Sequence, residues 1–104
     1  MPLLFIIKCQ KEKYYLGLSH TFVSIFFKHF ENHDNIPWMN MYKPIKLLHI
    51  EHFFNFTMLN NCVIYYMYIY GIENVRGGIY SDLILNLNQY NEITKNINES
   101  YNDV

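Results

Sequence analysis

The sequence predicts a small α/β (α+β) domain: a three-stranded, mainly antiparallel sheet flanked by helices, in the order β-β-α-β-α with a C-terminal tail. Two short apolar runs near the N-terminus are joined by four polar residues, as in a hairpin. Further along, apolar residues recur at helical spacing in two longer segments, and a β-branched run separates them. With 104 residues, 51% of them hydrophobic, the chain is long enough for one modest core.

The first two strands are expected at residues 3–9 and 14–18, with the polar run Gln10-Lys11-Glu12-Lys13 as their connection. A helix is expected next, over residues 21–31. Either Ser19 or Thr21 can cap its N-terminus, and apolar side chains follow at helical spacing from Phe22 to Phe30.

Residues 32–40 have the composition of a loop, within which Trp38 is expected to act as a buried anchor. Pro44 suits the start of a strand, where no N–H group is needed, so a third strand is expected at residues 45–51. A second helix is expected over residues 57–70. Its inner side should be formed by Leu59, Cys62, Val63, Tyr66 and Tyr70.

Gly71 stands where this helical pattern stops, which predicts a left-handed residue at the helix C-terminus. Gly77-Gly78 then predicts a sharp turn, with Arg76 presented at it. Residues 79–85 are expected to be strand or extended chain. A weak third helix and a frayed polar tail complete the chain, so we divide it into residues 1–85 and 86–104. The third helix is predicted from Leu87, Tyr90, Ile93 and Ile97.

Composition limits the functional classes. The net charge of −1, with eight Lys and Arg residues, argues against a strongly basic nucleic-acid binder but permits a local basic patch. Two cysteines do not make a disulfide framework, which favours a reducing compartment. No secretory signal pattern and no apolar run of membrane-spanning length occurs. The sequence therefore predicts a soluble, intracellular protein with no membrane partner.

Several stretches carry a family resemblance. The run Tyr14-Tyr15-Leu16-Gly17-Leu18-Ser19 resembles the second half of the GIY-YIG nuclease motif, with Leu for Ile, and Phe5 stands where the tyrosine of the first half belongs. The stretches 38–48 and 66–78 are similar to a GIY-YIG-like subgroup found mainly in large DNA viruses. The resemblance covers roughly residues 3–85 and implies a GIY-YIG-like fold for them. It also implies a viral protein of the host cytoplasm.

The resemblance implies phosphodiester hydrolysis that depends on a divalent ion such as Mg²⁺ or Mn²⁺. In this family a tyrosine, an arginine and a metal-binding glutamate do the chemistry, and their places are taken here by Phe5, Ile25 and Leu59. Only Tyr15 and His29 remain as catalytic remnants. Because losing a single transition-state donor costs about 10²–10³ in rate, the resemblance implies an endonuclease-like domain with a degenerate active site and no cofactor.

Arg76, Lys43 and Lys46 are candidates for nucleic-acid binding, since cations beside free backbone N–H groups suit phosphate. Arg76 can equally pair with an acidic neighbour or a helix C-terminus. The partner would be DNA, weakly bound, and protein partners are not indicated. The four tyrosines of the second helix are a possible base-stacking surface, but packing is favoured: Tyr66 and Tyr70 in the core, Tyr65 and Tyr68 exposed.

Two alternatives stay open. One is an active endonuclease with relocated groups, namely Glu51, His29 and Tyr15. The other is a protein-interaction module or a decaying gene copy. A metal site is not expected, although several side chains of suitable type exist. These are His29, His33, His49, His52, Cys9 and Cys62.

Overall fold

The computed structural model describes residues 3–19, 36–52 and 55–101, which form an α+β fold. Its strands are β1 (Leu3–Cys9), β2 (Lys13–Ser19), β3 (Pro44–His52) and β4 (Val75–Gly77). Its α-helices, in the described residues, are α1 (Pro37–Met41), α2 (Phe56–Tyr70) and α3 (Leu87–Ser100). The predicted combination of helices with a small sheet is confirmed. None of these helices is long and apolar enough to cross a membrane.

The predicted hairpin is confirmed. Strands β1 and β2 pair antiparallel, from Leu3 opposite Ser19 to Cys9 opposite Lys13, and a turn of 3₁₀-helix at Gln10–Glu12 joins them. The predicted third strand is also confirmed: β3 pairs antiparallel with the other side of β1. Both β2 and β3 extend one residue beyond the expected bounds at each end.

The prediction of a three-stranded sheet is wrong, because β4 adds a fourth strand. It runs parallel to β2, with Tyr14 opposite Val75 and Leu16 opposite Gly77, and the sheet order is β3-β1-β2-β4. The sheet is therefore mixed. A strand of three residues is too short to show an alternating pattern, and it is defined by its distant partner.

Gly77 makes that pairing possible, since a Cβ atom placed there would lie 2.2 Å from the carbonyl oxygen of Leu16. The predicted turn follows directly, with φ of +155° at Gly77 and +55° at Gly78. After the turn, Tyr80 forms a single antiparallel bridge with Gly77. Apart from this bridge, residues 79–85 form turns and bends, so the expectation of strand or extended chain for them is wrong.

Local hydrogen bonds define both ends of helix α2. The side chain of Asn55 accepts a hydrogen bond from the Met58 N–H at 2.8 Å, which caps the N-terminus. At the other end Gly71 has φ of +102°, and its N–H donates to the Met67 carbonyl at 2.8 Å. The predicted glycine at the helix end is confirmed.

The buried side of α2 differs in part from the prediction. Its buried residues are Leu59, Val63, Ile64 and Met67. Cys62 and Tyr66 are half-buried, whereas Tyr70 is 43% exposed and its assignment to the core was wrong. Tyr70 is the last residue of α2, and its ring stacks on that of Tyr14 with ring centres 4.4 Å apart.

Helix α1 was not expected from the sequence, whereas helix α3 was. Residues 37–41, expected as loop, form the short helix α1, because Pro37 occupies its first turn and suits that place. Trp38 is 2% exposed, so its predicted role as a buried anchor is confirmed. The predicted third helix is confirmed as α3, which starts with a reciprocal capping box between Asn86 and Gln89.

The sheet has a core on each face. On what we call the α2 face, Leu4, Ile6 and Leu16 pack with α2 and with Ile93 and Ile97 of α3. On the opposite, α1 face, the buried set is Leu3, Phe5, Ile7, Cys9 and Met39. Successive strand residues point to opposite faces, so each site residue can be assigned to one of them.

The helix predicted over residues 21–31, including Ile25 and His29, lies outside the described residues. So do His33 and the last three residues of the predicted tail.

Candidate functional site

Phe5 fills the position next to Tyr15 on the α1 face. It lies opposite Gly17 in the β1–β2 pairing and is 1% exposed. A Cβ atom at Gly17 would lie 2.5 Å from Phe5 Cζ, so the ring covers that glycine. The ring centres of Phe5 and Tyr15 are 6.3 Å apart. The Phe5 position thus holds packed hydrocarbon, with no hydroxyl group to donate or accept.

The environment of Tyr15 opposes a role in proton transfer. The residue is half-buried, and this burial raises the pKa of its phenol, an effect that a side-chain hydrogen bond with Ser81 only partly offsets. A general base works best when its pKa is near the working pH. Burial therefore disfavours the phenolate form of Tyr15, which is the form that a general base would need.

Leu59, at the place of the metal-binding glutamate, lies on the other side of the sheet. It is 2% exposed and belongs to the α2-face core with Leu4 and Ile6. The structure therefore does not bring the Phe5 and Leu59 positions together in one concave site. The next residue, Asn60, accepts a hydrogen bond from the Ile79 N–H at 3.0 Å and so holds the turn that follows β4.

The prediction that the turn presents Arg76 to solvent is wrong, because pairing of β4 with β2 directs this residue inward and leaves it 6% exposed. Its guanidinium donates to backbone carbonyls instead. The acceptors are Ile72 (2.6 Å), Val75 (2.8 Å), Asp82 (2.9 Å) and Leu83 (3.4 Å). The carbon of the guanidinium lies 4.5 Å from the ring centre of Trp38.

These contacts give Arg76 a structural role that neither sequence interpretation included. It joins the start of β4 to the irregular chain at residues 82–83. Burial lowers the pKa of the guanidinium, while Glu73, Tyr42 and Asp82 act to raise it. A phosphate-binding role for Arg76 remains a prediction, and most of its donors are already engaged.

Lys46 lies far from Arg76, on the opposite edge strand of the sheet, whereas Lys43 follows Tyr42, whose ring contacts that of Trp38 beside Arg76. Lys46 is exposed on the edge strand β3, opposite Lys8 of β1, and Lys43 is exposed just before the strand. The Lys43 carbonyl accepts a hydrogen bond from the Gln10 N–H at 2.9 Å. Because β3 and β4 are the two edges of the sheet, about three strand spacings, or roughly 14 Å, separate them.

Glu51 cannot act together with Tyr15. It lies opposite Leu4 in the β1–β3 pairing, which places it on the α2 face, whereas Tyr15 lies on the α1 face. Its carboxylate is 3.8 Å from the His49 ring, and both side chains are half exposed. An active site with relocated groups would require Glu51 and Tyr15 to be close together, and the structure places them on opposite faces of the sheet.

The two cysteines belong to no cluster of metal ligands among the described residues. Cys9 lies in the α1-face core, where burial raises the pKa of its thiol to about 12. Cys62 is on α2, and burial, with a smaller contribution from Glu51, raises its thiol pKa. In the part of the chain that the structure describes, no three His, Cys, Asp or Glu side chains converge.

The tyrosines of α2 pack mainly against other rings. Tyr65 and Tyr68 are 46% and 41% exposed, which confirms their predicted exposure. Tyr68 stacks on Tyr101 with ring centres 4.8 Å apart, and Tyr65 meets the same ring edge-on at 5.6 Å. Tyr66 is half-buried beside Tyr70.

Sequence reasoning missed Lys13. Its ammonium group donates to Asn74 Oδ1 at 2.7 Å and to the Glu73 carbonyl at 3.2 Å. It also lies 5.1 Å from the ring centre of Tyr42 and 5.9 Å from that of Trp38. Glu73 and Asn74 reach Lys13 through the unforeseen β2–β4 pairing, whereas Trp38 is held beside it by a hydrogen bond from Nε1 to the Tyr14 carbonyl at 3.0 Å, so the sequence offered no local signal for these contacts.

Lys13 and Arg76 border one cleft, which we call the Lys13 cleft. Its volume is about 310 Å³. Its lining residues are Lys13, Trp38, Tyr42, Ile72, Glu73, Arg76, Leu83, Ile84, Leu85 and Tyr90.

Comparisons with protein-family models, with curated proteins and with solved structures found no match to this chain.

Proposed function

We propose that this chain is a degenerate GIY-YIG-like endonuclease domain of viral, intracellular type, which lacks catalysis and binds nucleic acid at most weakly. The observation that supports this best is the burial of Phe5 against Gly17 and beside Tyr15. A hydrocarbon ring occupies the place where the resemblance requires a polar, reacting group.

Three further features support the loss of catalysis. The phenol of Tyr15 has a raised pKa, so its phenolate form is disfavoured. Leu59 carries no ligand atom and lies on the opposite face. Arg76 is the cation nearest Tyr15 along the β2–β4 pairing, but it is directed at carbonyl oxygens. Phosphodiester hydrolysis needs an activated nucleophile and stabilisation of developing charge, and these residues supply neither.

Weak nucleic-acid binding is supported by the exposed lysines on β3. Lys46 adjoins Lys8 on the neighbouring strand, and Lys43 lies just before β3, so positive charge gathers at this edge. Lys8 is partly neutralised by Glu12 at 3.5 Å. With few cations and a net charge of −1, the patch can release few counterions, so binding should be weak.

The test is fluorescence anisotropy with labelled single-stranded and duplex DNA at several salt concentrations. We expect weak binding whose salt dependence falls by about one or two counterions in the variant Lys43→Gln/Lys46→Gln. Lys95→Gln is the matched control, because Lys95 is exposed on α3 and pairs only with Glu99. Binding that is insensitive to salt, or equal in the double variant and wild type, would contradict this role. Absence of any binding would favour the interaction-module alternative.

A further inference from the structure

The Lys13 cleft holds two cations that form no ion pair with a carboxylate among the residues that the structure describes. Arg76 is only 6% exposed, and its acceptors are four neutral carbonyl groups. The bond to Leu83 is long, at 3.4 Å, and the second N–H of the same nitrogen has no acceptor in residues 3–19, 36–52 and 55–101. Lys13 likewise donates only to an amide and a carbonyl oxygen.

A buried cation without a counter-ion is costly, because carbonyl dipoles replace only part of its hydration. Within the described chain, no carboxylate lies within ion-pairing distance of either side chain. The lining carries Lys13 and Arg76 against the exposed Glu73, and the nearby Asp82 acts with Glu73 to raise the pKa of Arg76 without forming an ion pair with it. An anionic group that enters the cleft would therefore gain favourable electrostatic interactions with both cations.

The walls of the cleft suit a planar ring. Tyr42 is half-buried and Tyr90 is 43% exposed, and both line the space together with Ile72, Leu83 and Leu85. A volume of about 310 Å³ lies at the small end of the range for ligand sites, which limits the occupant to a small molecule of about the size of one nucleotide. Aromatic side chains beside a cation favour nucleobases, since every base has a π-face.

We propose that the Lys13 cleft binds a mononucleotide unit, with the base against Tyr42 and Tyr90 and the phosphate beside Lys13 and Arg76. The same chemistry is offered by a free nucleoside monophosphate and by the phosphorylated end of a single strand. This site goes beyond the proposed function and does not depend on it, because its cations are Lys13 and Arg76 and not the two lysines proposed to contact DNA.

Trp38 is the only tryptophan and forms part of the cleft lining, so its fluorescence reports on occupancy. The protein should be titrated with adenosine monophosphate, adenosine and inorganic phosphate, with excitation at the red edge of the tryptophan band, where adenine absorbs little. We expect a saturable change with the monophosphate and binding at least about tenfold weaker for adenosine and phosphate alone, because each lacks one half of the contacts.

Variants separate this site from nonspecific effects. Lys13→Gln should weaken binding of adenosine monophosphate about tenfold or more. Tyr90→Leu should weaken it several-fold, and since this ring is substantially exposed, the variant should fold normally. Lys95→Gln, on the outer side of α3, should bind as wild type does. Urea unfolding of each variant confirms that the fold is intact.

The proposal is overturned if no saturable change occurs up to roughly 10 mM, if adenosine and its monophosphate bind equally, or if Lys13→Gln and Tyr90→Leu both leave binding unchanged. A short single strand with a 5′-phosphate identifies the natural source. If it binds more tightly than the free monophosphate, the cleft takes strand ends; if it binds more weakly, the cleft takes free nucleotides. A failure of DNA binding at Lys43 and Lys46 would leave these expectations unchanged.

Discussion

The packing of Phe5 on Gly17 gives the sharpest prediction about stability. In the variant Gly17→Ala the new methyl carbon would lie 2.5 Å from Phe5 Cζ and 3.0 Å from Cε1. These distances are well inside the roughly 3.5–4.0 Å optimum for carbon contacts. The ring is 1% exposed and is enclosed by the α1-face core, so it cannot move out into solvent.

Overpacking of this kind costs about 1–3 kcal/mol, and alanine recovers about 0.4–1 kcal/mol by restricting the unfolded chain. The variant should therefore lose roughly 1–2 kcal/mol of unfolding free energy. Phe5→Leu alone should cost roughly 1–2 kcal/mol through lost packing. Combined, the two changes should cost at least about 1 kcal/mol less than their sum, because leucine leaves room for the methyl group.

Urea unfolding followed by Trp38 fluorescence measures all four proteins of this cycle. The control combines Gly17→Ala with Ile93→Val, which changes a buried residue of the α2 face, and this pair should be additive. If Gly17→Ala and Phe5→Leu are also additive within about 0.5 kcal/mol, the ring does not cover Gly17 and our description of the site is wrong.

Other predictions concern β4 and the buried thiol. Arg76→Lys should lose about 2–4 kcal/mol in urea unfolding, because one ammonium group cannot serve four carbonyls; an unchanged midpoint would refute the structural role. Gly77→Ala should prevent β4 pairing, since its Cβ would meet the Leu16 carbonyl at 2.2 Å; unaltered amide protection of Leu16 and Gly77 in hydrogen exchange would contradict this. Burial raises the pKa of Cys9 from 9.0 to about 12, so its contribution to stability is complete below pH 9.0 and is lost as the pH rises towards 12. Urea midpoints should fall over this range, less steeply in Cys9→Val, and equal slopes would exclude the thiol as a cause.

Much of the fold was predictable because the patterns are local. The hairpin follows from two apolar runs with a polar connection, and the end of α2 follows from Gly71. Strand β4 could not be found in this way, since it is defined by pairing with residues 14–16, about sixty positions earlier. The burial of Arg76 depends on that pairing, so its predicted exposure failed together with the strand count.

The candidate site was predictable in its chemistry but not in its geometry. Phe5 and Leu59 carry hydrocarbon whatever the fold, and the sequence shows this directly. Their placement on opposite faces depends on strand register and on the packing of α2, which no local pattern determines. Lys13 was missed for the same reason, because its hydrogen-bond acceptors come from the segment that follows α2 and its aromatic neighbours come from α1 and the residue after it.

The most direct test of the central claim is a cleavage assay on the purified protein with Mg²⁺ and with Mn²⁺. Single-stranded, duplex and branched DNA should be incubated with wild type and with Tyr15→Phe, which removes only the phenolic hydroxyl. We predict that neither protein cuts any substrate above the background of a mock purification. Reproducible cleavage by wild type that Tyr15→Phe abolishes would contradict the account.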